Sequence, residues 1–427
     1  MAQLVRHSVE ILRRYSLPLL LGVACALLAA NLFEHSYHEA LEWAPFHGLE
    51  IFGHEVTFHF LVNDVFMVFF FAIAAKEITE ACLPGGDLNP PRKAVNPLVA
   101  TLGGVLGPIV VFFAGLWGCF ALGVYDGSTT SFGEVYRGWG IPTATDIALA
   151  WLVARAVFGS SHPAVNFLLL LAVADDAIGL VIIALFYGDP AHPAQPQYLA
   201  LVLLAMGLAF GMRRARLNSW LPYVLVAGPV SWSGFMLANL HPALALVPVI
   251  PFLPGPRRDT GFYVEKPPSD LKALDDHASP LHQFEHQTGL FVDFGLFFFA
   301  FANAGVSVGG VGPLTWLIFG ALIIGKTAGI TGMAWVAERL GFKLPRGMCR
   351  SDLVMAGFIA ALGLTVALFV ASAAFTDLAL QTEAKMGALL SGLVGIAALV
   401  LGRALGFGSK SSRESDQAGQ YPVREVA

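Results

Sequence analysis

The sequence predicts an all-α polytopic membrane protein with twelve transmembrane helices. Of its 427 residues, 56% are hydrophobic and only 13% are charged, about half the charged fraction of a soluble domain. Mean hydropathy is +0.67. The apolar residues also come in long blocks, many of about 20, the length a helix needs to cross the hydrocarbon layer. A soluble domain could not hide so much apolar surface. The 45 glycines and 33 phenylalanines suit close helix approach, broken helices and lipid-facing positions.

In order, the spans read as 15–34, 58–79, 95–123, 139–157, 164–187, 197–212, 220–238, 241–253, 287–307, 313–335, 351–374 and 384–405. The first comes after Arg6, Arg13 and Arg14 and has the outline of a signal peptide. Equally apolar blocks come after it, which favours a retained span; Cys25 after Gly-Val-Ala is a weak match to a lipoprotein cleavage site. The seventh and eighth spans are crowded by Pro222, Pro229, Pro242, Pro248 and Pro251. The chain then divides into an N-terminus 1–14, spans 1–8 in 15–254, a linker 255–286, spans 9–12 in 287–407 and a polar, disordered tail 408–427.

The basic residues set the orientation. Even-numbered loops carry Arg92 and Lys93, Arg155, Arg213 with Arg214 and Arg216, Arg257 to Lys272, and Arg339 to Arg350. Odd-numbered loops carry almost none, with Arg137 and Lys385 as exceptions. By the positive-inside rule both termini, the linker and the tail are cytoplasmic, as in a multi-pass membrane protein.

Composition also excludes functions. A net charge of −5 without a basic tract gives no support for nucleic-acid binding. Cys25, Cys82, Cys119 and Cys349 form neither a CxxC nor a Cys/His cluster, so no disulfide framework or zinc site is indicated. No soluble segment is long enough for a catalytic domain, and no Walker A motif points to ATP. The chain reads as neither an enzyme nor the holder of a cofactor; its surroundings are the lipid bilayer.

A charge in the hydrocarbon zone is costly and usually has a partner or a function. In Gly140-Ile-Pro-Thr-Ala-Thr-Asp146, proline breaks the backbone ladder, and Thr143 and Thr145 can satisfy the freed groups. Such a break exposes dipole ends and carbonyls that can form an ion site; the alternative is a shallow helix start capped by Asp146. Asp175 and Asp176 sit mid-way along the fifth span, roughly ten mostly apolar residues from either end. On a helix they point about 100° apart, and two adjacent carboxylates resist joint ionisation. Competition between a cation and protons for such a site is the minimum machinery of cation/proton exchange; a structural hydrogen-bonded pair is the alternative.

Lys326, in Gly325-Lys-Thr-Ala-Gly329, lies well inside the tenth span and needs a carboxylate, naturally Asp175 or Asp176, unless it snorkels. The eleventh span, with Gly357, Gly363 and Thr365, has no proline or charge and reads either as close packing or as a second broken helix facing Pro142–Asp146. Asp64 reads as the outer end of the second span, where it lines a funnel or caps the helix, and Lys76 with Glu77 as a shallow cytoplasmic pair. Asp293, early in the ninth span, lines the route, pairs with another polar group or is merely shallow.

These residues resemble the NhaA-type sodium/proton antiporter family of bacterial inner membranes. The motifs are Pro142-Thr-Ala-Thr-Asp-Ile-Ala-Leu149, Ala174-Asp-Asp-Ala177 with Ile182-Ile-Ala-Leu-Phe-Tyr187, and Phe299-Ala-Phe-Ala-Asn-Ala-Gly-Val-Ser307. Gly325-Lys326 and Phe369-Val-Ala-Ser-Ala-Ala-Phe375 support them, and the likeness runs from about residue 10 to 405. The resemblance implies two inverted repeats, spans 3–5 and 10–12, whose fourth and eleventh spans are broken and cross. It implies Asp176 as the indispensable ligand of transported Na⁺, with Asp175 and Thr145 beside it and Asp175 paired to Lys326 when no ion is bound. Asp146, with Gly363 and Thr365 opposite, would offset the dipole ends at the crossing. It further implies electrogenic export of Na⁺ or Li⁺ against two protons, serving pH and sodium homeostasis, and a homodimer, which rests on the resemblance alone.

The family's pH-sensing funnel matches only in part. Glu77 and His241 fall at matching positions and Glu285 less closely, while Ala81 stands where a further acid is common, with Glu80 as its neighbour. Ala243 replaces a hydroxyl, Leu246 a glycine, and Asp293 adds an acid where the family is usually apolar. Rival readings fare worse. An intramembrane aspartyl protease needs acids on facing helices, a channel would not bury Lys326 in a cation pore, and a scaffold has no use for several mid-span charges. A transporter of another solute shares the broken helices.

Overall fold

The computed structural model describes residues 16–46, 48–83, 86, 88, 91–125, 131–188, 193–255 and 279–407, with backbone alone at 91–93. The predicted N-terminus 1–14, the linker from 256 to 278 and the tail 408–427 lie outside the described residues.

The chain is an all-α polytopic membrane protein; the described strands are one short hairpin, Glu50–Ile51 against His54–Glu55. Its helices are α1 (Leu17–Leu32), α2 (Glu34–Glu42), α3 (Phe58–Cys82), α4 (Pro91–Ala121), α5 (Phe132–Thr143), α6 (Ile147–Phe158), α7 (Pro163–Phe186), α8 (Pro196–Arg214), α9 (Tyr223–Leu237), α10 (Pro280–Asn303), α11 (Pro313–Arg339), α12 (Arg350–Ile359), α13 (Leu364–Ala374) and α14 (Leu378–Ala404). Six of them, α3, α4, α7, α8, α11 and α14, are long and apolar enough to cross a membrane, and the bent pairs α5–α6 and α12–α13 bring the number to eight. Their outward faces carry bare apolar side chains such as Trp117, Leu185 and Leu203, which only lipid can cover without cost.

The fourth and twelfth spans start earlier than predicted, at Phe132 and Leu378, and two others differ for clear local reasons. The eighth, 241–253, holds no α-helix: 3₁₀ turns at Pro242–Leu244 and Ile250–Phe252 flank irregular turns. Pro242, Pro248 and Pro251 remove backbone donors at intervals too short for an α-helical ladder to form. The ninth starts earlier than 287, because Ser279 caps the amide of His282 and Pro280 occupies the first turn. The early turns of α10 are therefore polar, with His282, Glu285, His286 and Gln287.

The helices sort into two bundles by contact. One contains α4 to α7 with α11 to α14; the other contains α1 to α3 with α8 to α10. They meet mainly where α3 packs on α7 and α10 on α13. Within the first bundle, a long helix, a bent pair and another long helix occur twice. The leading helices α4 and α11 run antiparallel, since Gly103 lies against Gly329 and Gly107 against Gly325, so the two triplets are inverted.

That glycine seam sets the bundle's spacing. A Cβ on Gly103 would lie 2.1 Å from the Gly329 carbonyl oxygen, one on Gly107 2.2 Å from that of Gly325, and one on Gly329 2.0 Å from that of Gly103. These contacts are backbone to backbone, so neither side can yield by a rotamer change. Small residues that let helix backbones touch are the usual basis of association in lipid, where no hydrophobic drive exists.

The bent pairs cross at the centre of this bundle. α5 and α6 meet at 48° and α12 and α13 at 46°. Pro142 ends a 3₁₀ stretch, Tyr136–Thr143, and its freed groups are satisfied locally. The Thr143 hydroxyl donates to the Gly140 carbonyl at 2.6 Å. The Tyr187 hydroxyl accepts from Gly140 N and donates to the Arg137 carbonyl, both at 2.7 Å. The second break needs no proline: Asp146 N donates to the Leu362 carbonyl at 2.6 Å, and a Cβ on Gly363 would sit 2.9 Å from the Ala144 oxygen.

Gly107→Leu or Gly329→Leu should therefore force the seam apart and lower the melting temperature in detergent by a destabilisation of about 1–3 kcal/mol or more. Gly207→Leu, at a position with nothing within 4 Å, should leave it unchanged. Equal melting temperatures for all three variants would contradict the seam.

Candidate functional site

Lys326 ends a π-helical turn, Ala321–Lys326, inside α11. The wide turn inserts an extra residue and so re-aims the side chains at its end. The ammonium points into the crossing and donates to Asp175 Oδ2 and to Thr145 Oγ1, each at 2.5 Å. Thr145 lies between the halves of the first broken pair, so its hydroxyl is not spent on a helical ladder. It donates either to Asp175 Oδ2 at 2.6 Å or to the Ala360 carbonyl, across the crossing, at 3.1 Å. Lys326, Asp175 and Thr145 are 0%, 1% and 1% exposed. Lysine does not snorkel here; it is paired.

Asp176 points elsewhere, as adjacent helical positions require. It is half-buried, and its Oδ1 is shielded from solvent yet accepts no hydrogen bond. Asp175 Oδ1 is in the same condition. Unmet buried carboxylate oxygens are rare and call for an explanation. A proton or a hard cation would satisfy them, and carboxylate and hydroxyl oxygens are suitable donors for such a cation. Thr145 and Asp175 Oδ2 are already engaged by Lys326, so a cation that also takes these two oxygens competes with the ammonium.

Asp146 combines both readings that the sequence left open. Its Oδ1 caps α6 by accepting from Leu149 N at 3.1 Å, and its Oδ2 accepts from Thr365 N, at the start of α13, at 3.3 Å. The residue is buried rather than shallow. Two half-helix N-termini thus face one carboxylate, whose charge offsets their positive ends. Gly363 admits the close approach, and Ser391 Oγ accepts from its amide at 3.2 Å.

The remaining predicted residues fall on either side of this centre. Asp64 lies in a π-helical turn, Leu61–Phe66, with Oδ1 3.8 Å from His241 Nδ1. Trp232 holds the Asp64 carbonyl at 2.7 Å. Toward the other end of α3, Glu77 is near enough to Asp176 for their charges to interact. The expected Lys76–Glu77 pair gives way to a different one. Lys76 is buried and binds Glu80 at 2.7 Å and Glu285 across to α10, with His282 beside them. The reason is helical phase: Val68, Ala72 and Lys76 share the buried i, i+4 face, whereas Glu77 is turned by one position. Glu80, the acid beside Ala81, thus meets Glu285 on the same lysine. Asp293 is half-buried on α10.

Replacing Asp175 by Asn should strand the Lys326 ammonium in a dry site. Breaking such a pair from one side typically costs about 3–5 kcal/mol, so D175N should melt markedly lower than the parent in detergent. D175N combined with Lys326→Met should recover part of that loss. A double variant no more stable than D175N would contradict the pairing.

A sequence model of the Na+/H+ antiporter 1 family matches residues 9–404. The Na(+)/H(+) antiporter NhaA of Geobacter sulfurreducens is 54% identical over 401 residues, 94% of this chain and 98% of that protein. NhaA 1 of Pelobacter propionicus is 52% identical, covering 93% of this chain and 98% of its own length. NhaA of Desulfitobacterium hafniense is 51% identical, with 94% and 97% covered. The chain belongs to the Na⁺/H⁺ antiporter family.

Proposed function

We propose that this protein exports cytoplasmic Na⁺, or Li⁺, in exchange for external protons, with Asp175 and Asp176 as the shared binding carboxylates. The observation that carries the reading is the asymmetry of the pair. Both carboxylates keep a buried Oδ1 without a donor, but only Asp175 has its other oxygen held, by Lys326 and Thr145. A proton or Na⁺ completes Asp176. Na⁺ bridging to Asp175 takes over the oxygen that Lys326 holds and draws in the Thr145 hydroxyl as a further ligand. Protons that leave as Na⁺ enters, and return as it departs, give obligatory exchange at one site. Asp146 holds the two half-helix N-termini together, so the repulsion between them does not open the crossing.

Two protons against one sodium, the family's implied ratio, make the exchange electrogenic and let a proton gradient drive sodium out. The distribution of Arg and Lys supports cytoplasmic termini and an inner-membrane location. On that orientation Glu77, Glu80 and Glu285 lie at the cytoplasmic mouth and Asp64 with His241 at the outer side. Sodium extrusion coupled to proton entry serves sodium and pH homeostasis.

In everted vesicles carrying an acid-inside pH gradient, Na⁺ and Li⁺ should collapse the gradient, and choline should not. Asp176→Asn should abolish the response while the protein remains folded in the membrane. A normal response from D176N would move the site elsewhere, and no response to any alkali cation from the parent would end the reading.

A further inference from the structure

The two bundles share a second buried polar cluster, which takes no part in holding Lys326. Asn63 on α3 and Asn303 at the end of α10 pair side chain to side chain within one bundle. Asn303 Nδ2 donates to Asn63 Oδ1 at 2.8 Å, and Asn63 Nδ2 to Asn303 Oδ1 at 3.2 Å. Ser372 on α13 belongs to the other bundle. Its hydroxyl donates to Asn303 Oδ1 at 2.9 Å, with its own Leu368 carbonyl at 3.1 Å as the alternative acceptor. This is a side-chain hydrogen bond that crosses between the bundles.

The cluster has a definite place along the route. α13 starts at the crossing, where Thr365 N meets Asp146, and Ser372 lies about 10 Å further on at 1.5 Å per residue. Between them Phe369, 1% exposed, packs its ring on Phe71 of α3 at 5.0 Å and on His241 at 4.4 Å. α3 shows the same order in reverse: Glu77 nearest Asp176, then Phe71, then Asn63. An aromatic contact is therefore stacked on an amide–hydroxyl contact, both bridging the bundles, and both lie on the Asp64 side of the site.

We infer that the Asn63–Asn303–Ser372 hydrogen bonds and the Phe71–Phe369 contact form the outer gate of the ion route, which must part before the carboxylate site meets the outside. The inference rests on the proposed exchange. Its chemistry suits a contact that is made and broken in each cycle. Closed and dry, the amides and the hydroxyl satisfy one another; opened, the same groups take water, so neither state leaves a buried polar group without a partner. An ion pair here would attract or repel the passing cation, and a purely apolar seam would not fix the register of α13 against α10.

The test joins the bundles across the gate. In a background in which Cys25, Cys82, Cys119 and Cys349 are replaced, Asn303→Cys with Ser372→Cys is reconstituted and linked by a short reversible thiol cross-linker. Linking should stop Na⁺-driven proton movement and reduction should restore it, while the linked protein in detergent still binds ²²Na⁺. Unchanged exchange in the linked protein would overturn the gate, and so would loss of ²²Na⁺ binding on linking, which would make these residues part of the ion site. Failure of the exchange reading itself is distinct: the unlinked parent would then bind no ²²Na⁺. Should the reduced double variant be inert, Ser372→Ala decides. With Val68→Cys as reporter, S372A should speed labelling by an impermeant maleimide from the outside, and an unchanged rate would overturn the gate.

Discussion

A charge inside the hydrocarbon layer must find an opposite charge or a proton, and the arrangement of this protein depends on how Lys326 meets that demand. Its ammonium is wholly buried and lies on Asp175 and Thr145. Each partner requires a further feature. Thr145 is available only because Pro142 interrupts the helix before it. Asp175 is available only because α7 carries two adjacent acids, one of which can be spent on the lysine. Lys326 reaches them because a π turn re-aims α11 and the glycine seam brings α11 against α4. Opening any of these contacts leaves a charge stranded where the surroundings cannot solvate it.

The same constraint connects stability to the proposed transport. A lysine that holds one carboxylate oxygen can be displaced by a cation that holds it better, provided a second acid supplies the rest of the charge. In the proposed exchange Asp176, with its unmet oxygen, fills that role. On that proposal the site is poised between two neutralised arrangements rather than fixed in one. Asp146 serves differently: its carboxylate faces two backbone N-termini and has no ammonium partner among the described residues. In the proposed reading it stabilises the crossing itself.

Much of this was legible in the sequence because charge in an apolar run stands out. Asp146, Asp175, Asp176 and Lys326 are each framed by residues that belong in lipid, and Pro142 marks the first break directly. The second break was legible only by analogy with the first, since Gly363 and Thr365 also suit plain helix packing. The partners of Lys76 were missed as a matter of phase: Ala72 and Val68 place it on the buried face, but only the packing of α10 shows that Glu285 meets it there. The π turns at Leu61–Phe66 and Ala321–Lys326 have no compositional signature, because the extra residue is accommodated by tertiary contacts. Segment 241–253 carries its warning in three prolines; hydropathy alone counts it as a helix.

The central claim is that Na⁺ and protons compete for one pair of carboxylates. Calorimetric titration of Na⁺ into the purified protein, at one pH in two buffers of different ionisation enthalpy, tests it most directly. The account predicts heats that differ between the buffers, reporting protons released as Na⁺ binds, and no binding heat in D176N. Na⁺ binding with a heat independent of the buffer would mean that no proton leaves, and would contradict the account.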